Sequence, residues 1–287
     1  MEILFFGSKD RGVRCLNALV DANKNIVAVV TGDSDESDAF WNGSVSAAAS
    51  NLGINTYIPS DINSPQFLSK LTELDPDLII MAGFNQVLGS DVLSVPEHGV
   101  INLHAGRLPE YRGGSPMNWA IINGETSCTA TIHYATERID AGPVLAERKF
   151  NIKKDDTIAD VREKTLEIFP PMLVEVIKRL EEGTANPRPN DVSEGTYWGS
   201  RMPQDGRIDW KRMTAKEVYD FIRALTHPYP GAFTTYKGER LFVWDSDLLD
   251  EDIKHTPGRI CMKRGDDRVV AAADQGILLK TVQYAKS

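Results

Sequence analysis

Over the first half of the chain the hydrophobic positions alternate between two spacings. Residues 2–6 (EILFF), 26–30 (IVAVV), 78–82 (LIIMA) and 100–103 (VINL) are short, nearly unbroken apolar runs, as expected of strands covered on both faces. Between them the spacing becomes helical: Val13, Leu16, Leu19 and Val20 share one face over 12–23, and 44–52 and 67–74 read the same way. Tyr57–Ile58 is a further short strand. Strands alternating with helices predict βαβ units and a mostly parallel, Rossmann-like α/β sheet. Two more strands are predicted at 128–134 and 144–150, then a long amphipathic helix over 157–182 with Asp155 and Asp156 as caps. Pro170 and Pro171 lie inside it and bring no backbone donors, which predicts a kink or two separate helices.

From Gly183 the pattern dissolves into a stretch rich in Gly, Pro, Asn and Ser, which reads as a linker. One helix is predicted after it, at 214–225, followed by short strands at 232–236, 240–244, 258–261, 269–272 and 276–282. That spacing predicts a small β-rich, barrel-like domain. The organisation expected is a catalytic domain over 1–183, a linker over 184–206 and a C-terminal domain over 207–287.

At 41% hydrophobic and 25% charged the composition is that of an ordinary soluble protein. No apolar run reaches the length of a membrane span, and no membrane partner is expected. The start MEILFFGSKD lacks the basic onset and apolar core of a signal peptide. Cys15, Cys128 and Cys261 are scattered, with neither metal spacing nor an even count, which suits a reducing cytoplasm and leaves no metal site expected. Charge excludes more. The net charge is −9, and residues 207–287 carry 14 Lys and Arg against 12 Asp and Glu. Neither part is a basic domain, so no nucleic-acid partner is expected.

Candidate chemistry begins where the first strand ends, at Gly7-Ser8-Lys9-Asp10-Arg11-Gly12. This is neither G-x-G-x-x-G nor a P-loop. A strand, a Gly-containing loop and a helix still present N–H groups and a helix dipole to an anion. Ser8, Lys9 and Arg11 are therefore candidates for a substrate phosphate, against the plainer reading of a tight turn with solvated charges. Residues 101–119 (INLHAGRLPEYRGGSPMNW) then deliver Asn102 and His104 near a strand end, two apart and so on one side, followed by a loop dense in Gly and Pro. Arg138-Ile139-Asp140-Ala141-Gly142-Pro143 sets a carboxylate in a turn before another strand.

An Asn amide can donate to a developing oxyanion, a His can move a proton near neutrality, and an Asp can orient that His and favour its charged form. With no Ser or Cys in a nucleophile-elbow context, such a trio suits direct acyl transfer between bound substrates. A His beside an Asn also fits a purely structural pair. His133, within a strand, reads as core or as support for the site. Trp119 and Tyr111 could stack on a base or sugar, or simply pack.

The pattern N-L-H-x-x-x-L-P-x-Y-R-G-x-x-P, followed by the aspartate of R-x-D-A-G, resembles the folate-dependent formyltransferases. The resemblance implies that Asn102, His104 and Asp140 are catalytic. It implies 10-formyltetrahydrofolate as co-substrate, with the pterin held at Gln86, Val87 and Leu88 and enclosed by the turn carrying Arg138 and Asp140. It extends over nearly the whole chain, through Thr196-Tyr197, Arg207-Ile208-Asp209-Trp210 and Pro228-Tyr229-Pro230-Gly231. That favours the two-domain members over the single-domain glycinamide ribonucleotide enzymes. Methionyl-tRNA formyltransferases carry a long basic loop after the second strand; here that region is short and acidic, Thr31 to Asp38. Residues 39–45 (AFWNGSV) and 111–119 (YRGGSPMNW) are similar to the formyltransferase domain acting on UDP-4-amino-4-deoxyarabinose. The implied acceptor is the amine of a UDP- or dTDP-linked deoxy-amino sugar made for a surface polysaccharide or nonulosonate. Arg107, Tyr111 and Ser115 join Ser8, Lys9 and Arg11 as substrate-binding candidates. Two positions depart from the family pattern: Arg107 stands where leucine is usual, and Gly106 where serine is common. A methionyl-tRNA enzyme, a non-catalytic folate or nucleotide sensor and a folate hydrolase remain as alternatives. The second domain could bind nucleotide, build a homodimer or cap the first.

Overall fold

A computed structural model describes residues 1–32 and 43–285. The acidic stretch from Asp33 to Asp38, and Ala39 to Asn42 after it, lie outside the described residues. The elements run β1 (Glu2–Gly7), α1 (Lys9–Asp21), β2 (Asn25–Val30), α2 (Val45–Asn51), β3 (Thr56–Tyr57), α3 (Pro65–Leu74), β4 (Leu78–Ala82), α4 (Ser90–Leu93) and β5 (Val100–His104). Then follow β6 (Arg112–Gly113), α5 (Pro116–Ile122), β7 (Ser127–Tyr134), β8 (Val144–Asn151), α6 (Ile158–Glu181), β9 (Tyr197–Trp198) and α7 (Ala215–Leu225). The chain ends with β10 (Ala232–Tyr236), β11 (Glu239–Leu248), β12 (Ile260–Arg264), β13 (Asp267–Ala271) and β14 (Gly276–Tyr284).

The chain divides into two compact units that do not follow its order. The first comprises Met1–Gly113, Thr129–Phe150 and Glu163–Tyr197; the second comprises Gly114–Cys128, Asn151–Arg162 and Trp198–Ser287.

The first unit is built on a seven-stranded sheet of order β3-β2-β1-β4-β5-β7-β8. β1 pairs parallel with β2 and β4, β2 with β3, and β4 with β5. Every residue of β4, and all of β1 after Glu2, is buried, which is why these strands read as continuous apolar runs. α1 buries Cys15, Leu16 and Leu19, slightly rotated from the face that periodicity suggests. One side of the sheet closes over Leu4, Phe6, Ile79 and Met81, with Phe67 and Leu71 of α3 packed on them. β7 breaks the parallel pattern: it pairs antiparallel with β5, setting Asn102 opposite His133 and His104 opposite Thr131.

Two expectations need revising. The stretch 157–182 forms one helix, α6, with both prolines inside it. Their missing donors remove two rungs, but Phe169, Met172, Leu173 and Ile177 are buried on either side and hold the helical path. The Gly- and Pro-dense segment after Arg112 contains a helix, α5, opened by Pro116 in its first turn, where the missing N–H costs nothing.

The second unit carries a five-stranded antiparallel sheet of order β10-β11-β14-β13-β12. α7 opens on a capping box between Thr214 and Glu217 and buries Val218, Phe221, Ile222 and Leu225. Among the described residues no helix is long and apolar enough to cross a membrane.

Candidate active site

The site lies in the first unit, where β5 ends. Asn102 and His104 leave β5 on the same side, and the turn after β7 brings Asp140 to them. Asp140 is 8% exposed and sits in the left-handed region at φ 51°, a conformation that Asp tolerates better than most residues. Gly142 fixes the far end of the turn, since a Cβ there would lie 2.0 Å from the Tyr134 carbonyl oxygen.

Four groups converge on the Asp140 carboxylate. Oδ2 accepts the Gly113 backbone N–H at 2.8 Å and faces His104 Nδ1 at 3.4 Å. Oδ1 accepts Asn102 Nδ2 at 3.3 Å and lies 3.2 Å from His133 Nε2. Asn102 Nδ2 is also 3.2 Å from His133 Nε2. Each imidazole is anchored through its other nitrogen: His104 Nε2 to the Tyr111 carbonyl at 2.6 Å, His133 Nδ1 to the Tyr134 carbonyl at 2.8 Å. A carbonyl only accepts, so those nitrogens carry hydrogen. On His104 the nitrogen facing Asp140, Nδ1, is therefore the one that gains and loses a proton.

The electrostatics follow from this packing. Burial alone would raise the Asp140 pKa, but His104, His133 and the Gly113 N–H outweigh it and bring it down to about 2. Asp140 is thus a carboxylate at neutral pH. Burial lowers the His104 pKa; Asp140 pulls it up, His133 pushes it down, the Tyr111 carbonyl supports the proton, and the Arg11 charge opposes it.

His133 belongs to this cluster as closely as the expected trio does. The signal for it was alternation: Thr129, Thr131 and His133 are polar residues of one strand face, and all three are buried. Thr131 Oγ1 donates to the Gly106 carbonyl at 2.7 Å, holding the start of the loop after His104.

The other expected site residues are placed as follows. Arg11 is directed inward, donating to the Leu103 carbonyl at 3.3 Å between the two β5 site residues, with its guanidinium 5.1 Å from the Phe169 ring centre. Ser8 is buried and precedes α1 without capping it through its side chain, and Lys9 is left-handed at φ 60°. Asp10 already occupies the first turn, accepting the Arg11 N–H at 2.9 Å. Arg107 is exposed and pairs with Glu110 at 3.1 Å. Tyr111 is buried and serves the site through its carbonyl. Ser115 belongs to the second unit, at the N-terminus of α5, where its hydroxyl accepts the Arg201 N–H at 3.3 Å.

In the loop after β4, the Gln86 side chain is committed internally, accepting the Ile62 N–H at 2.9 Å and donating to the Pro59 carbonyl at 3.4 Å. Asn63 braces the same loop through the Val87 carbonyl and the Gly89 N–H. Leu88 is core. Val87, at 58% exposed, offers an apolar surface on this braced loop, and Ile139, at 42%, does so beside Asp140. The Arg138 side chain is exposed. Among the described residues no group of three or more His, Cys, Asp or Glu side chains is arranged to hold a metal ion.

At this strand end of an α/β sheet an amide donor, imidazoles and an ionised carboxylate are gathered in one largely buried cluster, the kinds of group that can donate to an oxyanion and move a proton. The chain belongs to the formyltransferase family: residues 1–177 match the formyl transferase model and residues 201–287 match the formyl transferase C-terminal domain. Among solved structures it is similar to the N-formyltransferase from Helicobacter canadensis in complex with folinic acid and dTDP-3-aminofucose, at TM-score 0.78 and 18% identity, over 98% of this chain and 99% of that one. It is similar to the methionyl-tRNA formyltransferase from Clostridium thermocellum, at TM-score 0.66 and 16% identity, over 100% of both chains. It is also similar to HypX from Aquifex aeolicus in complex with tetrahydrofolic acid, at TM-score 0.68 and 20% identity, over 99% of this chain and 44% of that one. The chain thus spans less than half the length of the HypX protein. At these identities the likeness is one of fold.

Proposed function

We propose that this chain transfers the formyl group of 10-formyltetrahydrofolate to the amine of a nucleotide-linked deoxy-amino sugar. The observation that carries the reaction type is the convergence of Asn102, His104 and His133 on one buried, ionised Asp140. Support for a sugar acceptor comes from the sequence patterns around Tyr111–Trp119 and from the Helicobacter canadensis enzyme, which matches end to end and holds a dTDP-amino sugar. The acidic composition between Thr31 and Asp38 and the net charge of −9 disfavour tRNA.

In this reading the neutral amine attacks the formyl carbon. A new C–N bond forms, the bond from the formyl carbon to N10 breaks, the amine gives up one proton and N10 receives one. The Asn102 amide has two hydrogens, directed at present to Asp140 Oδ1 and His133 Nε2. One of them turns to the developing oxyanion as charge builds on it. His104 exchanges its proton at Nδ1, the position that Asp140 stabilises when charged. The Val87 and Ile139 surfaces would receive the pterin, with Asp140 beside its reacting end. Holding amine and formyl donor in line supplies much of the acceleration.

The test is formation of tetrahydrofolate by the purified full chain with 10-formyltetrahydrofolate, across UDP- and dTDP-amino sugars with initiator methionyl-tRNA alongside. Turnover with a sugar nucleotide and none with the tRNA is expected. Turnover with the tRNA alone would overturn the acceptor assignment. Release of formate without any acceptor would make the site a hydrolase.

A further inference from the structure

Residues 184–197 have the composition of a tether, yet within the first unit they are bound along the catalytic loop. Arg188 and Val144 exchange both backbone hydrogen bonds, at 2.8 and 2.7 Å. The Arg188 guanidinium reaches the Leu108 carbonyl at 3.3 Å and Glu147 at 2.9 Å. The Arg112 N–H donates to Thr196, and its guanidinium to the Val192 carbonyl at 3.3 Å. Gly195 passes so close that a Cβ would lie 2.1 Å from the Pro109 carbonyl oxygen. In the middle of this segment the Asn190 amide nitrogen donates to two carbonyls of the turn that carries the carboxylate, Asp140 at 3.0 Å and Gly142 at 3.2 Å.

We infer that Asn190 is a positioning residue for formyl transfer: its amide bridges both ends of the Asp140 turn and holds the carboxylate at His104, His133 and Asn102. Asp140 is left-handed, a conformation that persists only where its surroundings over-determine it. The Tyr134 carbonyl bounds the turn at Gly142, the Gly113 N–H holds the side chain, and the two carbonyls that face the connector meet the two hydrogens of one amide. An amide side chain supplies two donors from a single planar nitrogen, which neither a hydroxyl nor a carboxylate can do. Without it the turn is free to relax, and the 3.4 Å approach of Asp140 to His104 lengthens.

The proposal rests on Asp140 being part of the catalytic site, and the experiment separates the two ideas. Full-length Asn190→Ala, Asn190→Asp and Asn190→Gln are compared with Asp140→Ala, in turnover with 10-formyltetrahydrofolate and the UDP- and dTDP-amino sugars, and in imidazole titration by NMR without substrate. Only five histidines need assigning. Asn190→Ala and Asn190→Asp are expected to lower kcat by about tenfold to a hundredfold, the order that small misplacement costs, with KM values little changed. Asn190→Gln, which keeps both donors, should recover part of the loss. The charged and titrating groups around His104 are Asp140 from the turn, His133 from β7 and Arg11 from α1. Weakening Asp140 alone among them moves the His104 titration to lower pH, in the NMR measurement and in the acid limb of kcat alike. A stability loss with parent-like kcat and parent-like His104 titration would make Asn190 merely structural and overturn the proposal. If Asp140→Ala abolishes turnover while Asn190→Ala is parent-like, only this proposal fails. If Asp140→Ala retains turnover, the catalytic reading fails and takes this proposal with it.

Discussion

Two buried carboxylates invite comparison. Asp140, in the first unit, is 8% exposed; Asp220, in the second, is 2% exposed. Asp220 is held by permanent cations: Arg223 Nε lies at 2.8 Å and Lys216 pairs with it one turn away on α7. Arg223 in turn donates to the Asp156 carbonyl at 2.6 Å. Among the described residues Asp140 has no lysine or arginine within ion-pair distance. It is held by a backbone N–H, an amide and two imidazoles. An arginine does not lose its charge in a protein, so the Asp220 cluster has one protonation state and serves to join elements. Imidazole, unlike arginine, can take up or release a proton in the physiological range, so the Asp140 cluster contains groups able to move one. Depth of burial does not distinguish the two carboxylates; the chemical kind of their partners does.

The sharpest way to break the comparison is to delete each carboxylate. Asp140→Ala is expected to lower turnover by about a hundredfold to ten-thousandfold, the range that loss of a proton-handling group costs. Its thermal midpoint should fall by less than for Asp220→Ala, because the deletion strands no permanent cation, although the contribution of the ionised carboxylate is lost. Asp220→Ala should do the reverse. It strands the Arg223 charge, 8% exposed, and should destabilise the fold by about 3–5 kcal/mol, while turnover per folded molecule is unchanged. Denaturant unfolding and active-site-normalised rates check both. A large stability loss at Asp140 with turnover intact would place it with Asp220 as structural.

The sequence showed one of these clusters and hid the other for physical reasons. Asn102, His104 and Asp140 are legible because they stand in a long motif and because a β-strand puts residues two apart on one side. His133 was legible only as a polar residue in an alternating strand; its arrival at Asp140 depends on the antiparallel register that sets it opposite Asn102, and register between strands is not written locally. Gly113 donates a backbone N–H and the Asn190 amide donates to backbone carbonyls of a distant turn, contacts that no local sequence pattern marks. Arg11 reads in the sequence as a phosphate candidate or a solvated charge at a helix start; its side chain is long enough to reach the Leu103 carbonyl, which neither reading foresees. Asp220 and Arg223 lie three apart on α7, a spacing common to countless exposed pairs, so burial alone distinguishes them. The alternating apolar runs sufficed for the sheet because continuous burial of β1 and β4 leaves no other placement for them.

A smaller effect sharpens the division of labour inside the Asp140 cluster. His133→Ala removes the ring that lies 3.2 Å from both Asp140 Oδ1 and the Asn102 amide and leaves the backbone contact of Asp140 with Gly113 in place. Turnover should fall by about tenfold to a hundredfold, less than for Asp140→Ala, because the main proton site at His104 survives. A loss as large as that of Asp140→Ala would mean that His133, and not His104, carries the proton.

The smallest effect is in stability against pH, and its sign differs for the two titrating partners. The Asp140 pKa is depressed from 3.8 to about 2 in the fold, so its ionised form adds stability that is fully present above pH 3.8 and is lost as pH falls through about 2. The His104 pKa is depressed below 6.5, so the fold prefers the neutral ring; stability is full above pH 6.5 and declines below it, because the unfolded chain takes up the proton first. Both terms therefore weaken the fold on acidification, in separate windows. Measured between pH 7 and 5, where Asp140 stays ionised in both states, the slope isolates the histidines, and His104→Gln should flatten it. An Asp220→Asn variant that still folds should keep that slope, since its partners do not titrate there. If His104→Gln leaves the slope unchanged, the imidazole is as easily protonated in the fold as in water, and the attraction of Asp140 fully offsets burial.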